Sequence, residues 1–221
     1  MLVKEWMTKN VLTITADTSM MKASRLMKEK NVRRLPVIDE DNRVVGIVSD
    51  RDIKDASPSK ATTLDMHELY YLLSELKVKD IMTKTPVCAK ETDSVEGVAL
   101  LMQEKRFGGM PVVDADNRIQ GIITDSDIFK VLVSITGIRI GGIQVAFELD
   151  NKPGQIRGIL EILRKHGVGV VSILTAQETV DAPKRIVYVR MKRTAKDQEV
   201  AVLSELEKNH TVLYYDVGLT E

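Results

Sequence analysis

A single cysteine, Cys88, stands in 221 residues, so no disulfide can close within the chain, and a reducing compartment is expected. Histidine is nearly as scarce: His67, His166 and His210 fall on three different predicted elements, with no spacing that resembles a metal set. There is no excess of either charge, since Lys plus Arg and Asp plus Glu both total 32. That excludes the global basic surplus typical of nucleic-acid and anionic-membrane binders. Apolar runs stay short of the ~18 residues that a membrane span needs. The longest candidate, Val131 to Ile138, is interrupted by Ser134, Thr136 and Gly137. MLVKEWMTKN has no apolar run after its charges, so no signal peptide is expected. A Walker loop and a dinucleotide glycine fingerprint are both missing, and nowhere do a nucleophile, a base and an orienting partner come together. What remains is an ordinary globular composition, 43% hydrophobic and 29% charged. The expectation is a soluble cytoplasmic protein that is not an enzyme, requires no cofactor or metal, and binds neither nucleic acid nor membrane.

What the chain does have is a repeat. An offset of 75 residues lays Val3–Ile53 on Val78–Ile128 without a gap, with about 21 identities in 51 positions. VKEWMTK meets VKDIMTK, and LPVIDEDNRVVGIVSDRDI meets MPVVDADNRIQGIITDSDI. One supersecondary unit has been made twice.

Each copy reads as β-α-β-β-α. After the MTK opening come short strand-like stretches at Val11–Ile14 and Val87–Ala89, then helix-start residues around Ser19 and Ser94. Met20, Ala23, Ser24 and Met27, and in the second copy Val95, Val98, Ala99 and Met102, repeat at helical spacing. Pro36-Val37-Ile38 and Pro111-Val112-Val113 predict a buried strand that proline enters at its first residue. Asp-Asn-Arg then supplies a tight turn, a second strand passes through Gly46 or Gly121, and a short helix starts near Ser49 or Thr124. The copies differ mainly over residues 54–77, where Ser57-Pro58-Ser59 breaks the chain. Leu64 to Leu76 predicts an added amphipathic helix, covering the module or bridging to a twin subunit.

Beyond Gly137 a third unit begins, with strands at Ile143–Leu149, Val168–Ala176, Arg185–Met191 and Thr211–Val217. One helix after Pro153-Gly154 has Ile156, Ile159, Leu160 and Leu163 on a face and stops at His166-Gly167. Another over Lys196–Asn209 turns Val200, Leu203 and Leu206 inward, and Ile138–Gly142 reads as a linker. The order β-α-β-β-α-β is a split βαβ sandwich.

The duplicated MTK, LPVID and GIVSDRDI segments resemble the cystathionine-β-synthase (CBS) domain, and two in tandem resemble a Bateman module. FELDNKPGQI leading into a helix resembles an ACT domain, and the whole architecture is similar to the acetoin-utilisation AcuB-type proteins. The resemblance implies an α+β chain: two βαββα CBS repeats forming one Bateman module, plus a C-terminal βαββαβ ferredoxin-like ACT domain. Its bounds are 1–60 for repeat one, 61–77 for the linking helix, 78–136 for repeat two and 137–221 for the ACT domain. It further implies a regulatory homodimer whose ligand is an adenosine nucleotide such as AMP or ATP, with S-adenosylmethionine and NAD as other candidates. An amino acid at the ACT domain would be a second input. The alternative is a nucleotide-independent dimeric scaffold for a partner enzyme, with a role in acetoin metabolism.

Ser49-x-x-Asp52 and Thr124-x-x-Asp127 admit two readings. An ionised carboxylate offers two acceptor oxygens to the two donors of a ribose diol, while the hydroxyl and nearby N–H groups hold ribose or phosphate. The same spacing is close to a helix capping box, and both roles can coexist. Asp50 with Asp52, or Asp125 with Asp127, could be imagined as magnesium ligands but read better as capping charge. Arg33 and Arg34 could pair with phosphate, and Gly108 and Gly109 could let backbone approach a ligand; a solvated basic edge and a flexible turn explain them equally well. Thr13, Ile14, Cys88 and Ala89 lie where the resemblance places adenine recognition, and plain core strand is the other reading. Cys88 itself reads as a small buried apolar residue rather than a nucleophile. Asn151, Pro153 and Gly154 enter a helix whose free N–H groups could hold an amino-acid carboxylate, and proline there is also ordinary helix initiation.

Overall fold

Two copies of one apolar pattern build two copies of one sheet, and each copy lends its opening residues to the other. The computed structural model describes residues 1–57 and 75–217. The expected helix over 64–76 and the break at Pro58 lie outside these residues, save for Glu75 and Leu76 at the helix's end. Repeat one comprises α1 (Val3–Trp6), β1 (Ile14–Thr15), α2 (Met20–Glu29), β2 (Arg34–Ile38), β3 (Val44–Ser49) and α3 (Asp50–Asp55). Repeat two comprises α4 (Val78–Ile81), β4 (Thr83–Lys84), β5 (Ala89–Lys90), α5 (Val95–Lys105), β6 (Gly109–Val113), β7 (Ile119–Thr124) and α6 (Asp125–Thr136).

The helices begin where their caps stand. Ser19 Oγ accepts from the Lys22 amide at 3.3 Å, and Ser94 Oγ from the Gly97 amide at 3.0 Å. Behind each cap the expected stripe is buried, Met20, Ala23 and Met27 in α2 and Val95, Val98 and Met102 in α5. In repeat one the stripe packs on Leu35, Val37 and Val48, each fully buried and each contributing roughly 1.5–3 kcal/mol of apolar burial. The Asp-Asn-Arg turns use left-handed asparagines, with φ of 60° at Asn42 and 63° at Asn117. Asp39 Oδ1 accepts from the Asp41 and Arg43 amides at 3.0 and 2.8 Å, and Asp114 repeats the arrangement. Pro36 is the third residue of β2 rather than its first, and pairing with β1 begins one residue later, at Val37.

The MTK openings do not stay with the copies they lead. β4 of repeat two pairs with β3 of repeat one, Thr83 opposite Ile47, so the first sheet runs β1-β2-β3-β4. In return Thr8 exchanges both backbone bonds with Ile122, at 2.9 and 3.0 Å. The amides of Val3 and Val78 are bound by carbonyls of the opposite repeat, Asp93 and Thr18, at 3.0 and 2.8 Å. Two identical sheet edges are indistinguishable to local periodicity, which is why the exchange is invisible in it. A further reciprocal pair, Val44 N to Asn117 O and Ile119 N to Asn42 O, both 3.0 Å, joins the two turns. Met1–Phe129 is accordingly one compact unit.

Lys130–Glu221 is the second unit. Its elements are β8 (Ile143–Asp150), α7 (Gln155–Lys165), β9 (Val170–Ala176), β10 (Lys184–Met191), α8 (Lys196–Asn209) and β11 (Thr211–Asp216). The sheet order β11-β8-β10-β9, antiparallel throughout, is the split βαβ topology. Phe147, Ile159, Val187 and Val202 are fully buried at its centre. Val200, expected inward, is instead 61% exposed. The inward stripe of α8 is Glu199, Val202, Leu203 and Leu206; Glu199 is tolerated there because Arg193 Nε and the Thr194 amide reach its carboxylate at 2.8 and 3.0 Å. The expected linker forms a single 3-10 turn over Ile138–Ile140, followed by Gly141 and Gly142 at φ of 79° and 110°.

The His210 ring meets Phe147 edge-on, with centroids 6.0 Å apart, and burial pushes its pKa below the ordinary 6.5. The folded state thus resists protonation that the unfolded chain accepts. Stability from this group is complete above 6.5 and declines as pH falls below that value toward the lower folded pKa. Glu205, held below the usual carboxylate range by Lys165 and then His166, adds a separate loss only beneath its ordinary 4.5. Circular-dichroism melts are expected to show the first decline in the wild type and a flatter limb in His210→Phe. An unchanged slope in the variant would assign the decline elsewhere.

Candidate functional site

Where β3 turns into α3, Ser49 and Asp52 close a complete capping box. Ser49 donates to Asp52 Oδ2 from its amide and from its hydroxyl, both at 2.7 Å, and Ser49 Oγ accepts from the Asp52 amide at 3.3 Å. Such a cap is worth about 1 kcal/mol. Repeat two repeats the carboxylate side of it, with Thr124 N and Oγ1 at 3.0 and 2.8 Å from Asp127 Oδ2. The capping box is therefore complete at Ser49, and its carboxylate half recurs at Thr124. They differ in access: Asp52 is half-buried and borders a cavity, whereas Asp127 is 2% exposed.

That cavity, about 660 Å³, lies between the repeats and falls within the size range of small-ligand sites. One wall comes from repeat one, through Arg33, Arg34, the segment from Ser49 to Asp52, and Lys54 and Asp55. The other comes from Arg106, Phe107, Gly108, Gly109 and Asp125, and Thr83 of the exchanged opening contributes to the lining. Arg34 reaches across to Asp125 Oδ2, 3.9 Å away. Gly108 makes the crossing feasible: a Cβ there would run into the Arg34 guanidinium and come within 2.8 Å of Asp125 Oδ2. The space beside Gly108 thus holds an arginine rather than standing open for a ligand. Lys54 binds Asp50 at 3.1 Å and, with weaker help from Arg34 and Arg33, holds its carboxyl below the ordinary range.

Six of the residues expected to bind nucleotide border this cavity: Arg33, Arg34, Ser49, Asp52, Gly108 and Gly109. Thr13, Ile14, Cys88, Ala89, Thr124 and Asp127 are not in its lining. Ile14 and Ala89 are buried strand residues in register with Val37 and Val112. Burial pushes the Cys88 thiol up, which keeps it protonated at neutral pH, and it donates to the Pro86 carbonyl at 3.4 Å. Arg106 and Phe107 were missed, and Asp50 and Asp125, read from the sequence as capping charge, also line the cavity. Arg106 could have been noticed as the partner of Asn31 at the 75-residue offset, a position where the copies differ in charge.

In the second unit Asn151 ties down the β9–β10 connection, its amide on the Pro183 carbonyl at 2.9 Å and its Nδ2 on the Ala182 carbonyl at 3.0 Å. Gly154 has φ of 85°, and a Cβ built on it would meet open space. The N-terminus of α7 carries no side-chain cap. Among the described residues no group of three or more His, Cys, Asp or Glu could hold a metal ion, and no helix is long and apolar enough to cross a membrane.

The family model of the CBS domain matches residues 3–59 and again 78–134, together more than half of the chain. The chain belongs to the CBS domain family. Its tandem repeats form a Bateman module, and solved structures of CBS pairs are similar to it. CBSX2 of Arabidopsis thaliana, solved in complex with AMP, is 34% identical with a TM-score of 0.51; the match covers 61% of this chain and 98% of that one. The CBS domain pair of the protein MJ0100, solved with 5′-methylthioadenosine and S-adenosyl-L-methionine, is 30% identical at a TM-score of 0.51, covering 60% and 95%. A putative acetoin utilization protein (AcuB) of Vibrio cholerae is 25% identical at 0.52, covering 63% and 96%. Against several longer archaeal enzymes the chain spans only 22% to 25% of their length. The CBS pair is a module that larger proteins carry.

Proposed function

We propose that this chain is a regulatory sensor whose CBS pair binds an adenosine nucleotide, AMP, ATP or a close relative, in the cleft between the repeats. One observation carries the reading: the Asp52 carboxylate, fixed by its cap, borders a 660 Å³ cavity that also contains arginines from both repeats. A carboxylate suits the donors of a ribose diol, and guanidinium groups suit phosphate. Ligands in CBSX2 and MJ0100 belong to the same chemical class. Thr13, Ile14, Cys88, Ala89, Thr124 and Asp127 enter this proposal as the strand and second-copy counterparts of the site.

The second unit, 137–221, is proposed as an ACT domain, supported by its β-α-β-β-α-β order and strand arrangement. An amino-acid carboxylate at the uncapped start of α7, beside Pro153 and Gly154, would be its input. This architecture supports an AcuB-type protein acting in the cytoplasm as a homodimer on a partner enzyme. A scaffold role independent of nucleotide draws on a different observation. Phe129 on α6 is 65% exposed, an apolar side chain suited to a protein partner.

Native mass spectrometry of the purified protein, with thermal melts in AMP and ATP, tests the sensor reading. Bound nucleotide or a rise in melting temperature is expected, since a ligand stabilises only the state it prefers. No shift with any adenosine compound, alongside partner capture that ignores nucleotide, would leave the scaffold.

A further inference from the structure

We propose that the solvent face of α2 is a docking surface for an acidic segment of a partner protein, held by Lys22, Arg25 and Lys28. It gives the regulatory reading above a partner of stated chemistry, and rests on that reading only for the partner's role. None of the three residues lines the cleft between the repeats, so docking and nucleotide binding are separable by experiment.

The first support is unpaired charge on one side of a helix. Lys22, Arg25 and Lys28 recur every third residue, opposite the buried Met20, Ala23 and Met27, and all three are exposed. They span about 9 Å of helix, and Lys30 at the C-terminal cap continues the positive charge. Glu29 is the one acid of α2, and Arg25 Nε binds it at 2.7 Å. Among the described residues Lys22, Lys28 and Lys30 form no ion pair.

The second support is the asymmetry of the duplication. At the 75-residue offset Lys22, Arg25 and Lys28 correspond to Gly97, Leu100 and Gln103 of α5. Glu29 is matched by Glu104 and Lys30 by Lys105, yet the three cations have no charged counterpart. The duplicated fold does not need them.

The third is local preference. Lys22 is the third residue of α2, whose first turn holds no acid, whereas α5 has Glu96 in its first turn. A cation near a helix N-terminus opposes the macrodipole, and like charges three residues apart repel. These cations weaken the helix that carries them, and an acidic partner reverses both effects.

The same face argues against other polyanions. Single-stranded nucleic acid is held by stacking on aromatic side chains, and a lipid surface by inserted apolar ones. Among the described residues no exposed aromatic or large apolar side chain lies on α2. The balance of 32 basic and 32 acidic residues also leaves no surplus for a long phosphate backbone. Carboxylates one helical turn apart on a partner segment match the spacing of the three cations.

Fluorescence anisotropy of the full chain with a labelled glutamate-rich helical peptide tests this, beside its glutamine-for-glutamate twin, single-stranded DNA and phosphatidylserine-containing vesicles. The wild type is expected to bind the glutamate peptide and not the twin, and to release it as salt is raised. Lys22→Glu with Lys28→Glu, which leaves the Arg25–Glu29 pair intact, should weaken the peptide by at least roughly tenfold. Lys90→Glu with Lys105→Glu makes the same charge change on exposed lysines of repeat two and should alter it by less than about twofold. Lys22→Glu alone should melt above the wild type while binding the peptide more weakly, so that stability and affinity move in opposite directions. No binding of the glutamate peptide, or equal losses in the two double variants, would overturn the proposal. Tighter binding of DNA or vesicles than of the peptide would overturn it too. So would self-association of the wild type that Lys22→Glu with Lys28→Glu abolishes, since a second copy would then occupy the face. A wild type that binds the peptide but ignores every adenosine compound would refute the nucleotide reading and sustain this one.

Discussion

Asp52→Asn is expected to fold almost as the wild type does and to bind adenosine nucleotides roughly 10- to 100-fold more weakly, the loss of 1.5–3 kcal/mol typical of a hydrogen bond to a charged group. The substitution separates the two roles of this residue. In the cap, Oδ2 accepts from the Ser49 amide and hydroxyl, both at 2.7 Å, and an amide oxygen can accept the same two bonds. Toward the cavity, however, asparagine presents an NH2 group where a second carboxylate oxygen would have stood. Two ribose hydroxyls that donate to a carboxylate would then face a donor. Calorimetry gives the affinity directly, and the melting temperature at fixed ligand should fall in step with it. Asp127→Asn is the comparison: that carboxylate is 2% exposed, so its change should act on stability before binding. Unchanged nucleotide affinity in Asp52→Asn would remove Asp52 from the site and leave it a helix cap.

The contrast between these two aspartates marks how far the sequence could be read. Ser49-x-x-Asp52 and Thr124-x-x-Asp127 are equivalent in spacing, and in both the amide and hydroxyl of the first residue bind Oδ2 of the aspartate. Which of them borders a cavity depends on packing between distant segments, a property that no local pattern contains. The same holds for the exchanged openings. VKEWMTK and VKDIMTK were legible as equivalent, yet equivalence leaves each free to pair with either sheet. The helices fared better because capping and 3.6-residue periodicity are local: α2, α5 and α7 bury the faces that their spacing indicates. Val200 failed because apolar character alone defined the stripe of α8. The phase of that helix is set by Val202 and Leu206, and Glu199 lies inward with its charge paired to Arg193.

The exchange itself yields the other large effect. Gly46 and Gly121 occupy equivalent positions in β3 and β7, and each is overlain by the opening of the opposite copy. Their surroundings are unequal. A Cβ on Gly121 would stand 2.7 Å from the Thr8 carbonyl oxygen and 3.0 Å from Met7 Sδ. A Cβ on Gly46 would meet Met82 Sδ first, with the Thr83 carbonyl oxygen at 3.2 Å. A methionine sulfur can swing aside, whereas a carbonyl locked in reciprocal backbone bonds with Ile122 cannot. Gly121→Ala is therefore expected to destabilise the N-terminal unit by about 1–3 kcal/mol, and Gly46→Ala by distinctly less. The chain's one tryptophan, Trp6, is half-buried in the exchanged opening next to Met7, so its fluorescence reports the seating of that segment. In urea, Gly121→Ala should move the Trp6 transition to lower denaturant by up to about 1 M, with Gly46→Ala close to the wild type. Equal shifts in the two variants would mean that the openings are held loosely enough to move aside together. The two repeats would then be joined through their paired turns at Asn42 and Asn117 rather than through the exchange of their first strands.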